Sequence, residues 1–247
     1  MSKNKNNSLL AYDAQFFAKG FSGVIGADEA GRGTLAGPVV AGSVWINRQF
    51  FETYQSSEFI TLFQDSKLLS EEQREEAFRH LQELSKTGAI AFSYGEASVD
   101  EIETHNILRA TTLAFQRALE KLQKEQSLIL KKKSSLFVAD TRQEDILILI
   151  DGLPLKQFPY EHNGLVKGDR TSFCIAAASI VAKVTRDHYM QELAKTYPQY
   201  GFDENKGYGT EKHREAIQKW GPCSLHRPSF LKKLYSANPQ DQQLSFL

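Results

Sequence analysis

The chain has 247 residues, 41% hydrophobic and 24% charged, enough for one good core and better suited to a single decorated domain than to two. Thirty basic residues balance thirty acidic ones, so the net charge of zero neither requires nor excludes a nucleic-acid partner, which needs only a basic face. No long apolar region follows the N-terminal lysines, and the longest apolar runs, Ile146–Ile150 and Ile175–Ala182, are far short of a bilayer span. A secretory signal and a membrane helix are excluded on this reading. Cys174 and Cys223 fit no C-x-x-C pattern and read as free thiols of a cytoplasmic protein.

In chain order, residues 1–20 are polar and then weakly amphipathic, and read as an N-terminal arm. Val24–Asp28 is a short apolar run ending in acids, and Pro38–Ile46 is a valine-rich strand bounded by turn signals. Residues 47–69 show little periodicity and read as a long loop or irregular helix. Ser70 and Gln73 form a capping box, followed by Ala77, Leu81 and Leu84 at helical spacing. Ala89–Ala97 is a third strand. Ser98 and Glu101 form a second capping box that opens a short helix, and Asn106–Lys124 is a long amphipathic one. Residues 125–145 read as an inserted loop, with a Lys131-Lys132-Lys133 run. The aliphatic run Ile146–Ile150 has the length of a strand buried on both faces. His162–Lys167 is a weaker strand, Thr171–Tyr197 a long helix stopped by Pro198, and 210–220 a helix closed by Gly221-Pro222. Strands mixed with helices around a doubly buried strand predict an α/β layer fold.

The acids stand at telling places. Asp28 and Glu29 follow one strand directly and Asp151 follows another, and ligands of open α/β sheets bind beyond the carboxyl ends of parallel strands. Asp169 comes after the next strand, before a long helix, where a return could bring it to the same edge. Clustered carboxylates repel unless a cation sits among them, and hard divalent ions take oxygen ligands and can clamp a phosphodiester. Each acid alone is an ordinary cap or turn residue; it is their shared placement that points to a metal-dependent phosphodiesterase. Gly31-Arg32-Gly33 follows the first pair, with glycines that let a backbone approach a ligand, but without a P-loop or dinucleotide pattern.

The string Asp28-Glu29-Ala30-Gly31-Arg32-Gly33 closely resembles the opening signature of the ribonuclease HII family. Further matches follow in the family's order: Asp65-Ser66-Lys67, His105 to Thr111, Ile150-Asp151-Gly152, Val166-Lys167-Gly168-Asp169, Ala176 to Asp187, Lys206 to Thr210, and His226 to Phe230. The resemblance implies an RNase H-like fold, a five-stranded mixed sheet flanked by helices with a helical C-terminal extension, spanning residues 21–235 before a 236–247 tail. It implies four metal-binding acids, Asp28, Glu29, Asp151 and Asp169, working with Mn²⁺ or Mg²⁺, two ions in catalysis. The substrate would be an RNA–DNA hybrid or DNA holding single ribonucleotides, cut on the 5′ side of a ribonucleotide to leave 3′-hydroxyl and 5′-phosphate ends.

By the same resemblance, Gly31, Arg32 and Gly33 contact 2′-hydroxyls, the arginine helping to hold the loop, and Tyr208 stacks on the sugar at an RNA–DNA junction. Lys67, Lys183 and Lys206 are candidates for phosphate contacts, and Asp187 reads as structural. The enzyme is expected to act as a monomer that touches no membrane. The tail Gln243–Leu247 resembles short peptides that dock on the DNA sliding clamp, although its Phe-Leu order departs from the commonest form. A hybrid-binding module without catalysis needs no clustered acids, and a DNA nuclease or transposase on the same sheet needs neither the Gly-Arg-Gly loop nor Tyr208.

Overall fold

A computed structural model describes residues 8–63, 69–127 and 145–237. Lys67, the Lys131–Lys133 run and the tail Gln243–Leu247 lie outside the described residues. Helix α1 (Ser8–Ala18) leads into the antiparallel pair β1 (Gly23–Ala30) and β2 (Val39–Asn47), then α2 (Arg48–Tyr54) and α3 (Glu71–Ser85). Strand β3 (Ile90–Ala97) precedes the long α4 (Val99–Gln126), and β4 (Ile146–Asp151) and β5 (Asn163–Leu165) complete the sheet. Helix α5 (Phe173–Thr196) and the short helices α6 (Phe202–Asn205), α7 (Glu211–Trp220) and α8 (Pro228–Ala237) follow.

The sheet runs β3-β2-β1-β4-β5, with β1, β4 and β5 mutually parallel and β1, β2 and β3 antiparallel in turn. The expected five-stranded mixed sheet is therefore present. Side chains alternate across it. Val24, Leu147 and Leu149 enter the core that contains α5, whereas Ile25, Ala27, Ile148 and Ile150 enter the core under α4. Burial on both faces explains why β4 reads as an unbroken aliphatic run. Every residue of α5 from Phe173 to Ala182 is buried, as befits a central helix apolar on all sides. Its backbone lies close on the sheet because β2 offers Gly42, where a Cβ would stand 2.8 Å from the Ala182 nitrogen.

Both capping boxes form as the sequence predicts, at Ser70/Gln73 and Ser98/Glu101. The short and long helices expected after Ser98 meet end to end at Asn106, whose backbone (φ 68°) leaves helical space inside α4. Its Oδ1 accepts from the main-chain N–H groups of Leu108 (3.0 Å) and Arg109 (3.1 Å), restarting the helix as an N-cap does.

One segment settles an open expectation and another departs from one. Residues 47–63 take the irregular-helix form and not the loop: Asn47 caps α2 by accepting from Phe50 N–H at 2.9 Å, and a 3₁₀ turn spans Glu58–Phe63. Phe50 and Phe63 both pack on Phe173 at the start of α5 (ring centroids 5.4 and 5.1 Å apart), so tertiary contact holds what periodicity could not reveal. The N-terminal stretch, expected as an arm, packs on the core through α1. Leu9, Leu10 and Phe17 of α1 are buried, and Asp13, fully buried, accepts a hydrogen bond from Cys174 N–H at 3.0 Å. An anion at the first turn of α5 complements that helix's dipole.

Burial pushes the Asp13 carboxyl up to about 6 against the hydrogen bonds that hold it down. Because the folded-state value is raised above the ordinary 3.8, its stabilising contribution is complete below 3.8 and lost as the pH climbs through 6. Relative to Asp13→Asn, the parent is expected to lose about 2 kcal/mol between pH 4 and 6. Urea melts of both proteins across that window check it, and parallel stability curves would contradict it.

Candidate active site

The parallel pairing of β1 with β4 sets Ala27 opposite Ile150, so the next residues, Asp28 and Asp151, stand side by side at the carboxyl ends of neighbouring strands. Asp28 is 4% exposed, and its Oδ1 accepts from the Glu29 N–H at 2.7 Å. Asp151 Oδ1 accepts from Gly168 N–H at 2.7 Å, which ties the end of β4 to the residue before Asp169. Asp169 itself is buried in the turn Gly168–Arg170, entered through Lys167 in a left-handed conformation (φ 59°). Glu29, one residue on from Asp28, points a carboxylate oxygen at Arg32 Nη1, 2.8 Å away.

All four predicted acids thus come to one sheet edge, but they do not form a closed cage. Among the described residues no three His, Cys, Asp or Glu side chains stand close enough to share one metal ion. Asp28 and Asp151 each hold a main-chain N–H, and Glu29 holds Arg32. The chemistry of the donor set nevertheless fits a hard divalent cation: it is all carboxylate oxygen, and like charges gathered at one edge favour a cation between them.

A cavity of about 400 Å³ opens beside Asp28 and Glu29, bordered by Gly31-Arg32-Gly33 on one side and by Lys183 of α5 and Tyr208 on the other. A larger hollow of about 770 Å³ continues from Glu29 and Arg32 past Asp151 to His105, Asn106 and Arg109 of α4. The two glycines of the loop serve different ends. Gly31 has φ 92°, and a Cβ there would run into Arg186 Nε and stand 2.8 Å from the Pro38 carbonyl oxygen. A Cβ at Gly33 would meet nothing within 4 Å, so this backbone is left open to a ligand from outside.

Arg32 spans the loop through its pair with Glu29 at 2.8 Å. The loop's main-chain carbonyls are held by two buried arginines, Arg186 and Arg227, neither of which sequence reasoning singled out. Arg186 donates to the carbonyls of Pro38 (3.0 Å), Ala36 (3.0 Å) and Lys206 (2.7 Å) and to the Thr34 hydroxyl (3.0 Å). Arg227 donates twice to the Gly37 carbonyl (2.9 and 2.7 Å) and once to that of Arg32 (3.2 Å). Burial lowers both guanidinium pKa values, that of Arg227 to about 9 with a further push from the Arg186 charge, so both remain cations near neutrality. A signal was present: Ala182, Arg186 and Met190 share one buried stripe of α5 at i, i+4, i+8, and a charge on an apolar stripe demands partners.

Tyr208 is 41% exposed, with the Lys183 ammonium 5.5 Å and the Arg186 guanidinium 5.9 Å from its ring centre. Lys183 is also paired with Asp187 at 2.8 Å, one helical turn on, so Asp187 acts here by steadying a lysine. Lys206 is not brought to the cavity. It is 6% exposed, with its ammonium on the Asp203 carbonyl and 3.7 Å from Glu71, because a left-handed backbone (φ 50°) ends α6 there and turns the side chain inward.

A mixed five-stranded sheet with acids at the ends of adjacent parallel strands defines a hydrolase of the RNase H-like class. The solved ribonuclease H2 from Pyrococcus horikoshii shares the fold, with a TM-score of 0.60 at 24% identity over 87% of this chain and 98% of that one. The RNase HII of Archaeoglobus fulgidus, solved in a complex with PCNA, gives 0.59 at 20% identity over 83% of this chain and 93% of that one. Ribonuclease HII of Caldanaerobacter subterraneus subsp. tengcongensis is 40% identical over 223 residues, 90% of this chain and 80% of its own. The sequence profile of Ribonuclease HII matches residues 25–233. The chain belongs to the Ribonuclease HII family, and is an endonuclease of the ribonuclease H kind. No helix among the described residues is long and apolar enough to cross a membrane.

Proposed function

We propose that this ribonuclease H, besides cleaving the RNA strand of RNA–DNA hybrids, incises duplex DNA on the 5′ side of single embedded ribonucleotides, leaving 3′-hydroxyl and 5′-phosphate ends. The observation that carries the reading is the β1–β4 register that sets Asp28 beside Asp151, at the edge where the open Gly33 backbone and the exposed Tyr208 ring border the same cavity as Asp28. Asp28, Glu29, Asp151 and Asp169 would hold Mn²⁺ or Mg²⁺, two ions in catalysis, and bound metal would supply an activated water and neutralise the leaving oxygen.

The chain's own residues bind and orient the substrate. The main chain of Gly31, Arg32 and Gly33 approaches a 2′-hydroxyl, the group that separates RNA from DNA, and Tyr208 offers the sugar a flat face. Lys183 meets a backbone phosphate, as does Lys67 by its motif, and such contacts position a duplex without reading its sequence. Lys206, with its ammonium turned inward, takes no part. Both cysteines are free thiols, which supports action in a reducing compartment such as the cytoplasm.

A labelled DNA duplex with one ribonucleotide, incubated with Mg²⁺, Mn²⁺ or EDTA, tests the reading. One cut 5′ to the ribonucleotide with either metal, and none in EDTA, is expected. Binding that ignores metal, without any cut, would replace an enzyme with a hybrid-binding module. The PCNA complex of the Archaeoglobus fulgidus protein supports docking of Gln243–Leu247 on the sliding clamp. Added clamp is therefore expected to stimulate the full chain but not one lacking those residues; equal responses would dismiss the tail.

A further inference from the structure

Behind Tyr208, on the side away from solvent, lie two buried histidines that no part of the cleavage reading uses. His213 (0% exposed) opens the first turns of α7, and His226 (2% exposed) lies just before α8. Their hydrogen bonds form a chain with a single direction. His213 Nδ1 is 2.8 Å from the Tyr208 carbonyl oxygen, which can only accept, so Nδ1 carries the proton. In a neutral ring His213 Nε2 is then bare, and the His226 Nε2 that faces it at 3.1 Å must be the donor. His226 Nδ1 is left to accept, and the Cys223 main-chain N–H lies 2.9 Å from it. One assignment of tautomers satisfies every link. Burial lowers both imidazole pKa values, that of His226 to about 4 with help from His213, so the pair stays neutral and the chain intact near neutral pH.

The end of that chain is the main chain of Tyr208. Its carbonyl also accepts from Thr210 N–H (2.8 Å), while the two carbonyls before it are held by the substrate loop's own scaffold. Gly207 accepts from Leu35 N–H at 2.8 Å and Lys206 from Arg186 at 2.7 Å. His226 itself forms a β-bridge with Ala36. The segment carrying Tyr208 and the segment carrying Gly31–Gly37 are thus braced as one piece, and the tyrosine ring is its exposed tip. A recognition side chain whose ring is half in solvent needs its backbone fixed if it is to meet a sugar without an ordering cost.

We propose that His213 and His226 are positioning residues for ribonucleotide recognition, holding the Tyr208 main chain so that its ring meets the sugar at the RNA–DNA junction. Neither touches the substrate. The inference rests on the reading of Tyr208 given above, and the tests separate the two.

Nitrogen NMR of the histidine side chains in the unaltered protein reads the tautomers directly. The proton on Nδ1 of His213 and on Nε2 of His226 is expected; the reverse pattern, or a charged pair at neutral pH, overturns the relay. Kinetics then read its purpose on two substrates, a duplex with one ribonucleotide and a continuous hybrid. Tyr208→Ala is expected to lower kcat/KM on the single-ribonucleotide duplex by at least about tenfold more than on the hybrid. His213→Leu is expected to shift the same preference in the same direction. His213→Asn, which keeps an N–H donor near the place of Nδ1, is expected to recover most of it. In the Tyr208→Ala background His213→Leu adds nothing further, because the two act through one contact.

An equal fall on both substrates, or losses that add, would mean that the histidines serve only folding, and the inference is lost. If Tyr208→Ala shifts the preference and His213→Leu does not, the inference alone fails. If Tyr208→Ala leaves the preference unchanged, the reading of Tyr208 fails and takes the inference with it. Should His213→Leu not fold, the tautomers and His213→Asn still decide.

Discussion

Asp28→Asn is expected to cleave a hybrid at least about a thousandfold more slowly than the parent, a loss of about 4 kcal/mol of transition-state stabilisation, while melting at the same temperature or slightly higher. The two halves of that expectation have separate physical origins. Asparagine has nearly the shape of aspartate and keeps an oxygen to accept the Glu29 N–H, so the packing of a side chain only 4% exposed is preserved. What it removes is a unit of negative charge from an edge shared with Glu29, Asp151 and Asp169. Without metal, fewer like charges at that edge relieve repulsion. With metal, a charged oxygen of the proposed ligand set is gone, and the site is expected to lose affinity for the ion. Added Mg²⁺ should therefore raise the melting temperature of the parent more than that of the variant, since an ion that binds only the folded state stabilises it by mass action. Activity within tenfold of the parent would remove Asp28 from the catalytic set, and a large fall in melting temperature would mark it as a structural residue.

The edge that holds Asp28 was legible because its signals are local. Acids directly after short apolar runs, capping boxes four residues long, and an asparagine that restarts a helix all declare themselves within a few positions of sequence. So did the aliphatic run of β4, whose burial on both faces needs no knowledge of what covers it. The elements that were read loosely depend on contacts distant in the chain. Helix α1 is weakly amphipathic by itself and is fixed by Asp13 reaching the first turn of α5, 161 residues away in sequence. Helix α2 is too short to show a period and is held by an aromatic contact with Phe173.

The candidate site divides in the same way. The acids, the Gly-Arg-Gly loop and Tyr208 stand in short motifs, and Asp28, Glu29, the loop and Tyr208 border one cavity. Lys206 also stands in such a motif, yet the left-handed turn that ends α6 points it inward, a matter of backbone conformation that no spacing records. The groups that shape the site from behind, Arg186, Arg227, His213 and His226, are polar residues in buried positions. In sequence they resemble solvated charges. Only the carbonyls and rings around them reveal that the Gly31–Gly37 loop and the tyrosine turn are braced from within.

The strongest consequence of that bracing concerns Arg186. Arg186→Met is expected to destabilise the protein by about 4 kcal/mol and to lower its melting temperature by about 10 °C. The side chain is 0% exposed and donates four hydrogen bonds, three of them to main-chain carbonyls. Methionine fills much of the volume but takes the guanidinium donor from the Pro38 and Lys206 oxygens, while Ala36 keeps the Thr34 hydroxyl at 3.0 Å. Each such group costs about 1–3 kcal/mol, offset in part because a guanidinium no longer has to be kept out of water. Arg186→Lys is expected to recover only part of the loss, since one ammonium cannot reproduce a planar fork spread over oxygens in different directions. Lys195→Ala on α5, which breaks a salt bridge to Glu192 between side chains about 70% exposed, serves as the control and is expected to cost less than about 1 kcal/mol.

Cleavage should fall with stability at Arg186 but not in proportion to it. At a temperature where Arg186→Met is still folded, the Gly31 loop and the Lys206–Tyr208 turn have lost one of the groups that join them, and kcat/KM on a single-ribonucleotide duplex is expected to drop by about tenfold to a hundredfold. Urea unfolding of the three variants, paired with kinetics well below each melting temperature, measures both effects. A methionine variant within 1 kcal/mol of the parent would show that the loop is held by its own turn and that the guanidinium is a passenger. A variant that is destabilised but cleaves normally would separate the scaffold from the site it is argued to shape.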